Sequence, residues 1–227
     1  MEWQALGVSL RLATGTSLLL VALGIPLAYW ISFGRGWGRK LVEAAVTLPL
    51  FLPPTVLGFF LLSWMGPHGW MGRLVAGISG QPLAFRFSGL VLASCLYSLP
   101  FGVLPLVIAF RGMDRAYWEA SRTLGVGPWE TFLRVILPLS WPAVFLSAVL
   151  TFAHTMGEFG VALMVGGNIP GKTRTLSIAL YDCVEALEFR TAQEIAFWLL
   201  GISVLVLWVT FWLQERSIQS GKKALLP

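Results

Sequence analysis

Charged residues are scarce in this chain of 227 residues. Only 12% of the residues are Asp, Glu, Lys or Arg, whereas about a quarter is usual for a soluble domain. Hydrophobic residues make up 56% of the chain, and its mean hydropathy is +0.76. This composition excludes an ordinary soluble globular domain and predicts a protein embedded in a membrane.

The few charges are also segregated, which leaves five long windows with none. These windows are Leu12–Gly34, Ala44–Pro67, Phe87–Phe110, Val135–Gly157 and Ile195–Gln214. Each can cross a hydrocarbon core of about 30 Å as a helix, and in lipid the backbone of a helix satisfies its own hydrogen bonds. We therefore predict an all-α integral membrane protein, a single transmembrane domain with about five spans. The predicted spans are approximately 6–34, 42–65, 87–110, 136–166 and 195–214.

Cysteine and histidine are nearly absent, with two residues of each. Cys95 lies in the middle of a predicted span and Cys183 outside one, so no disulfide is expected. His68 stands alone in a Gly-rich loop, whereas a zinc site needs three or four ligands. The sequence therefore predicts no metal site.

The basic residues predict the orientation in the membrane. Ten of the 16 Lys and Arg residues lie in segments 35–43, 111–134 and 215–227. By the positive-inside rule these segments are cytoplasmic, with the N-terminus outside and the C-terminus inside. Glu2 stands where a signal peptide would be basic, which favours an uncleaved first helix. The basic residues form no continuous face, so no nucleic-acid partner is expected.

Prolines interrupt the second predicted span. Pro49, Pro53 and Pro54 remove backbone donors, so the segment cannot be an unbroken helix. A break at membrane depth is tolerated where protein or a water-filled path covers it. Pro53, Pro54 and Gly58 are therefore candidates for a translocation path or its gate; the alternative is a packing kink.

The segment 111–135 is a charged loop between two apolar spans. Asp114 is a good N-cap for a helix over 115–124, and Gly125 is the expected stop. A short helix of this kind, with small residues on one face, can bind in a groove of a soluble partner. The alternative is a loop stabilised by its own ion pairs.

Glu119-Ala120-Ser121, then Gly125, then Val135-Ile136-Leu137-Pro138 resembles the "EAA" signature of the permease subunits of bacterial ABC importers. Ser121 replaces the second alanine and Val135 an isoleucine. The resemblance implies the fold of a type I ABC importer permease, in which 111–135 is a cytoplasmic coupling loop that docks on the ATPase. The implied docking residues are Asp114, Glu119, Ala120, Ser121, Gly125 and Pro138.

Four further segments are similar to the molybdate permease subunits of this family, over about residues 5 to 215. They are Ser9-Leu10-Arg11-Leu12, the proline segment 48–58, Gly157-Glu158-Phe159-Gly160 and the segment 168–175 that begins Asn168-Ile169-Pro170-Gly171. Lys172 departs from the pattern, because related permeases often have Glu there.

The resemblance implies an inner-membrane homodimer with the anion path at its two-fold interface. It also implies two cytoplasmic ABC ATPase subunits, which hold ATP and magnesium, and an extracytoplasmic molybdate-binding protein. The permease chain itself is expected to bind no cofactor and to catalyse no reaction. The alternatives are a permease for tungstate, sulfate or thiosulfate, a polytopic membrane enzyme and a passive channel.

Glu158 follows His154 by four residues at the end of the fourth span, so the two could form a hydrogen bond along one helix face. An ionisable residue at membrane depth is a functional-site hypothesis by default. Because a carboxylate repels an anion, we assign Glu158 a structural or gating role at a helix break between Gly157 and Gly160. His154 is interpreted as a packed core residue, and Asn168 is a further candidate for the path.

Residues 166–173 match the pattern G-x-x-x-x-G-K-[ST] of nucleotide-binding P-loops. A P-loop works between a strand and a helix, whereas this segment follows a membrane span. We therefore interpret the match as coincidental, and Lys172 and Arg174 as basic residues that meet an anion or a binding protein.

Overall fold

The computed structural model describes residues 2–223, with side chains described as far as residue 212, and over that part the chain is helical without strands. The helices are α1 (Trp3–Phe33), α2 (Trp37–Thr47), α3 (Pro54–Met65), α4 (Trp70–Ser79), α5 (Phe87–Arg111), α6 (Arg115–Thr123), α7 (Pro128–Thr131), α8 (Leu137–Leu139), α9 (Trp141–Gly157), α10 (Gly160–Gly166), α11 (Leu176–Glu185) and α12 (Phe189–Lys223).

Three of these helices are long and apolar enough to cross a membrane alone: α1, α5 and the part of α12 up to Trp212. Two bent pairs qualify only when their parts are combined. Trp37–Leu50 and Pro54–Met65 meet at 114°, and Pro128–Leu139 and Trp141–Gly157 meet at 69°. Counting each bent pair as one crossing gives five spans, the number expected from the charge-free windows.

Helices α1, α5 and α9 form the centre of the bundle. Gly24 of α1 lies beside Gly102 of α5, where a Cβ on Gly24 would stand 3.4 Å from the Gly102 carbonyl oxygen. The Ser17 hydroxyl donates to the Ala148 carbonyl at 2.7 Å, and the Ser147 hydroxyl donates to that of Gly102. These contacts make α1 and α5 parallel and α9 antiparallel to both.

The bundle has two ends, which we name for the short helices found there. The α6 end holds Phe33 and Arg111, the last residues of α1 and α5. The α11 end holds the first residues of α1, α5 and α12, with the Trp3 and Trp198 rings 6.3 Å apart.

Both predicted helix breaks are present. A short 3-10 turn at Leu48–Leu50 ends α2, and α3 starts at Pro54, because a proline removes a donor and disfavours helix at the residue before it. Helices α9 and α10 are separated by Glu158 and Phe159, both outside helical conformation. The bends bring α3 against α10, where Gly58 and Gly160 allow close contact.

Two helices lie where the sequence predicted loops. Helix α4 occupies the Gly-rich segment 66–86, and α11 occupies the segment before the last span. Thr175 caps α11 by accepting a hydrogen bond from the Ile178 amide at 3.4 Å. In addition, α12 starts at Phe189, six residues before the predicted span. Short surface helices leave no charge-free window, so the criterion used for spans misses them.

Candidate functional site

The charged loop folds as its residues predict. The Asp114 carboxylate accepts a hydrogen bond from the Ala116 amide at 2.9 Å and so caps α6. Gly125, just past the helix, has φ +73°, a left-handed conformation that glycine adopts without steric cost. Ser121 is buried against the loop, whereas Glu119 and Ala120 are exposed. Glu119 and Ala120 thus lie on the outer face of α6, and Ser121 lies on the face that packs against the loop.

Six aromatic rings join the loop to the ends of α1 and α5. Each ring lies within 4.5 to 5.6 Å of another, centroid to centroid. This aromatic cluster consists of Tyr29, Phe33, Phe110, Trp118, Trp129 and Phe132. Trp118 of α6 packs on Phe33 with the ring centroids 4.9 Å apart, so α6 contacts the end of α1 directly.

An ion pair fixes the same end of the bundle. Arg111 donates two hydrogen bonds to the Glu43 carboxylate, each of 2.7 Å, and a third of 3.3 Å to the Ile31 carbonyl oxygen. Bidentate pairs of this type are geometrically specific. One side chain of α5 therefore holds α1 and α2 in place.

A π-helical turn at Phe132–Ile136 connects the loop to α8 and α9, with the Leu137 amide bonded to the Phe132 carbonyl five residues earlier. Pro138 follows at the start of α8 and supplies no amide of its own. Single π turns are frequent at functional sites. Pro138 thus lies, exposed, at the junction between the charged loop and α9.

The second helix break opens on a cavity of about 520 Å³. Four of the candidate path residues line it, namely Pro54, Gly157, Glu158 and Gly160. Pro53 precedes this lining, and Gly58 lies behind it, where a Cβ would stand 2.9 Å from the Cβ of Met164. The sequence candidates at the two breaks therefore meet at one place in the fold.

Glu158 and His154 do not form the hydrogen bond to each other that their four-residue spacing allowed. Each pairs instead with a serine of α5: the Ser94 hydroxyl donates to Glu158 Oε2 at 2.9 Å, and Ser98 Oγ lies 2.9 Å from His154 Nδ1. Neither serine was among the residues predicted for this site. Their signal was the four-residue spacing on span three, equal to the spacing of the two ionisable residues.

The two ionisable residues differ in their surroundings. His154 is half-buried and stacks on Phe101, with centroids 4.1 Å apart, which agrees with its interpretation as a packed residue. Glu158 is only 4% exposed, and its Oε1 lacks a hydrogen bond. The carboxylate also interacts with the Ala162 amide in the first turn of α10. Glu158 thus ties α10 to α5 across the break.

Asn168 lies elsewhere, at the α11 end. Its side-chain amide donates to Asp182 at 2.6 Å, and Arg174 forms an ion pair with the same Asp182 carboxylate at 3.2 Å. Glu2 stands 3.8 Å from Arg174 on the other side. Asn168 therefore belongs to a polar network at the surface, away from the cavity at the helix break.

The P-loop pattern at 166–173 has neither the strand nor the free hydroxyl that nucleotide binding needs. Its Thr173 is fully buried, and its hydroxyl donates to the Gly166 carbonyl at 2.7 Å. The loop lies between α10 and α11, and the described part of the chain contains no strand. Over the same residues no group of three His, Cys, Asp or Glu could hold a metal ion.

The described helices thus form an apolar bundle of a kind that suits a membrane, with a polar loop held on aromatic rings at one end and helix breaks beside an open cavity. The model of a protein family described as "binding-protein-dependent transport system inner membrane component" matches residues 21–219. The chain belongs to that family.

Curated relatives agree over nearly the whole chain. The chain is 47% identical to the molybdenum transport system permease protein ModB of Azotobacter vinelandii, over 96% of this chain and 95% of the relative. It is 34% identical to ModB of Escherichia coli K12, over 95% of both. It is also 32% identical to a probable sulfate transport system permease protein of Chlorella vulgaris, over 88% of this chain and 75% of that one.

Solved structures show the same fold at low sequence identity. A bacterial ABC transporter that imports the polysaccharide alginate has a TM-score of 0.75 at 17% identity, covering 95% of this chain and 78% of that one. The methionine ABC transporter MetNI, in an inward-facing conformation, has a TM-score of 0.72 at 17% identity and covers 96% of both chains. The predicted fold class, a type I ABC importer permease, is thereby confirmed.

Proposed function

We propose that this chain is the permease subunit of an ATP-driven importer that carries molybdate across the cytoplasmic membrane. The observation that carries the proposal is the 47% identity to a molybdenum permease along 96% of the chain. The helical loop at 111–135 and the helix breaks before α3 and α10 are both present and support the same assignment.

The permease works in an assembly. A homodimer binds two ATPase subunits, which hold ATP and magnesium, at its α6 end and receives an extracytoplasmic binding protein at its α11 end. The N-terminus then lies outside and the C-terminus inside. Leu124 supports the docking role of the α6 loop, because 81% of its surface is exposed next to Glu119 and Ala120, where an ATPase would cover it.

The aromatic cluster transmits the movement. When ATP brings the ATPases together, each α6 is displaced, and Trp118 and Phe33 pass that displacement to the end of α1. Arg111 carries it to α2 through Glu43. Alternating access of this kind is a two-state change driven by differential binding of ATP and of the loaded binding protein.

Helices α3 and α10 are the segments that move. Both begin at the cavity and are joined to α2 and α9 by non-helical residues. Glu158 holds α10 to α5 through Ser94, and no lysine or arginine lines this cavity to bind an anion. The carboxylate therefore acts in gating the path, whereas cargo selection resides mostly in the binding protein.

Cell molybdenum tests the proposal. In a host that lacks this gene, grown at limiting external molybdate, we expect a molybdenum deficit that the gene cures. High external molybdate should cure it as well, through other uptake systems. Normal molybdenum in the mutant would contradict molybdate import by this chain.

The second candidate is a permease for sulfate or a related oxyanion, favoured by the similarity to a sulfate permease. Competition separates the two functions. Excess sulfate should leave molybdate uptake unchanged in a molybdate importer, whereas tungstate, with the same size and charge, should inhibit it. Inhibition by sulfate as strong as by tungstate would favour the second candidate.

A further inference from the structure

A second cavity, of about 540 Å³, lies at the α11 end, away from the helix breaks. Three basic side chains line it, Arg11 of α1, Arg86 just before α5, and Lys172 of the loop after α10. These residues are distant in the sequence and come together only in the fold. The lining contains no Asp or Glu.

None of the three cations forms an ion pair with a described residue. Among those residues the salt bridges of this end join Arg174 to Glu2 and to Asp182. These two acids are thus already paired with Arg174, while Arg11, Arg86 and Lys172 have no such partner among the described residues. Like charges gathered around one cavity repel one another, so the arrangement favours an anion between them.

The remaining lining also suits an anion. Arg86 is the N-cap residue of α5, a helix of 25 residues, and no side chain caps its first amides. Those amides carry the positive end of the helix dipole. Gln81 adds a side-chain amide donor to the same lining. The cavity therefore combines full charges, a helix N-terminus and a neutral donor.

One residue of the cavity wall, Phe85, has a strained backbone conformation. Phe85, adjacent to Arg86, has φ +62°, which is uncommon for a residue with a side chain. Its amide donates to the Val165 carbonyl at 2.8 Å, and its ring packs on Gly167, where a Cβ would stand 2.6 Å from Cδ1. Such conformations persist where the surrounding contacts impose them. The contacts hold Arg86 and the loop that carries Lys172 against each other.

We propose that Arg11, Arg86 and Lys172 form a binding site for a tetrahedral oxyanion at the end of the permease opposite the ATPase-docking loop. The site rests on the proposed function, in which it receives molybdate as the binding protein releases it. A phospholipid headgroup offers the same phosphate-like chemistry as the free dianion.

Direct binding tests the site. The permease–ATPase complex, purified in an uncharged detergent without the binding protein, is dialysed against molybdate, and bound molybdenum and phosphorus are measured by elemental analysis. We expect saturable binding that Arg11→Gln, Arg86→Gln or Lys172→Gln each weakens about tenfold, through loss of one charge-assisted contact. Arg11→Lys should retain it. Arg73→Gln, on exposed α4 outside the cavity lining, is the matched control and should bind as the wild type does.

The other outcomes are distinguishable. Equal molybdate binding by wild type and the three Gln variants would overturn the site. Co-purified phosphorus that the variants lose, without molybdate binding, would retain the oxyanion site and assign it to a lipid headgroup. Unchanged molybdate binding with loss of ATPase stimulation by the loaded binding protein would overturn it in favour of protein docking. Binding of sulfate but not molybdate would retain the site and contradict the proposed cargo.

Discussion

The α6 end of the bundle and the region around the helix breaks hold their polar and bulky groups in different ways. At the α6 end six rings contact one another, and Arg111 is paired with Glu43 through two bonds of 2.7 Å. At the breaks, Glu158 Oε1 is buried without a hydrogen bond beside an open cavity. The ring contacts and the ion pair of the first region suit it to the transmission of movement that we propose, and the unpaired carboxylate oxygen of the second suits that region to rearrangement.

The largest effect is expected from a substitution at an exposed position of the α6 end, which leaves the packing of that end unchanged. Glu119→Lys reverses an exposed charge on the face of α6 that we propose binds a basic group of the ATPase, and a like-charge contact at an interface costs several kcal/mol. We expect ATP-driven molybdate uptake in proteoliposomes to be abolished, with normal membrane insertion and loss of ATPase co-purification.

The matched control for this variant is Glu188→Lys, the same reversal at an exposed acid of the α11 end. It should leave ATPase co-purification intact. Wild-type uptake by Glu119→Lys would mean that α6 is an ordinary juxtamembrane loop.

The second largest effect is expected at the helix breaks, from substitutions of Glu158. Glu158→Ala leaves the buried Ser94 hydroxyl unpaired, a loss of about 1–3 kcal/mol, and should slow uptake about tenfold. Glu158→Gln keeps an oxygen for Ser94 to bond and should retain most of the rate. Uptake rates are compared at equal amounts of reconstituted complex.

The pair of variants decides between hydrogen bonding and charge. If the Gln variant were as slow as the Ala variant, the negative charge itself would matter, and Glu158 would have a role beyond holding α10 to α5.

A smaller effect concerns the close contact of α3 and α10. A Cβ at Gly160 would stand 2.8 Å from the Cβ of Pro54, so Gly160→Ala should destabilise the complex by about 1–3 kcal/mol. Gly157→Ala is the control, because a Cβ there meets nothing within 4 Å. Thermal unfolding of the two purified variants should separate them. Equal midpoints would show that the break is not held by this contact.

The smallest effect is expected at the surface of the α6 end. Glu130 and Arg134 form an exposed pair of 3.0 Å one turn apart, and such pairs contribute about 0.3–0.5 kcal/mol. Glu130→Gln should therefore change neither uptake nor the unfolding midpoint measurably. Loss of uptake in this variant would extend the docking surface beyond α6.

Much of this architecture could be predicted because lipid restricts the chain so strongly. Charge-free windows located the long apolar helices, and prolines and glycines located both breaks, since they act through the local backbone. Ser94 and Ser98 could not be found in the same way. Whether a serine in an apolar helix faces lipid or a buried carboxylate depends on the neighbouring helix, which the local sequence does not specify.

Asn168 shows the same dependence on neighbouring helices. Its segment resembles a functional signature, yet the side chain bonds to Asp182 at the α11 end. Similarity to a motif identifies a segment but not the partner of each side chain in it. The partner of Asn168 lies on α11, a helix that the charge pattern did not predict. The basic cavity was missed for the same reason, because Arg11, Arg86 and Lys172 are joined only by the fold.

The π turn at Phe132–Ile136 has a consequence for the length of the chain. A π turn contains one residue more than an α turn, so removing one residue here can be absorbed by converting it to a regular α turn. The same deletion inside α6 would rotate Glu119 by about 100° away from its face. We therefore expect the chain to tolerate a one-residue deletion in the π turn at Phe132–Ile136 but not within α6.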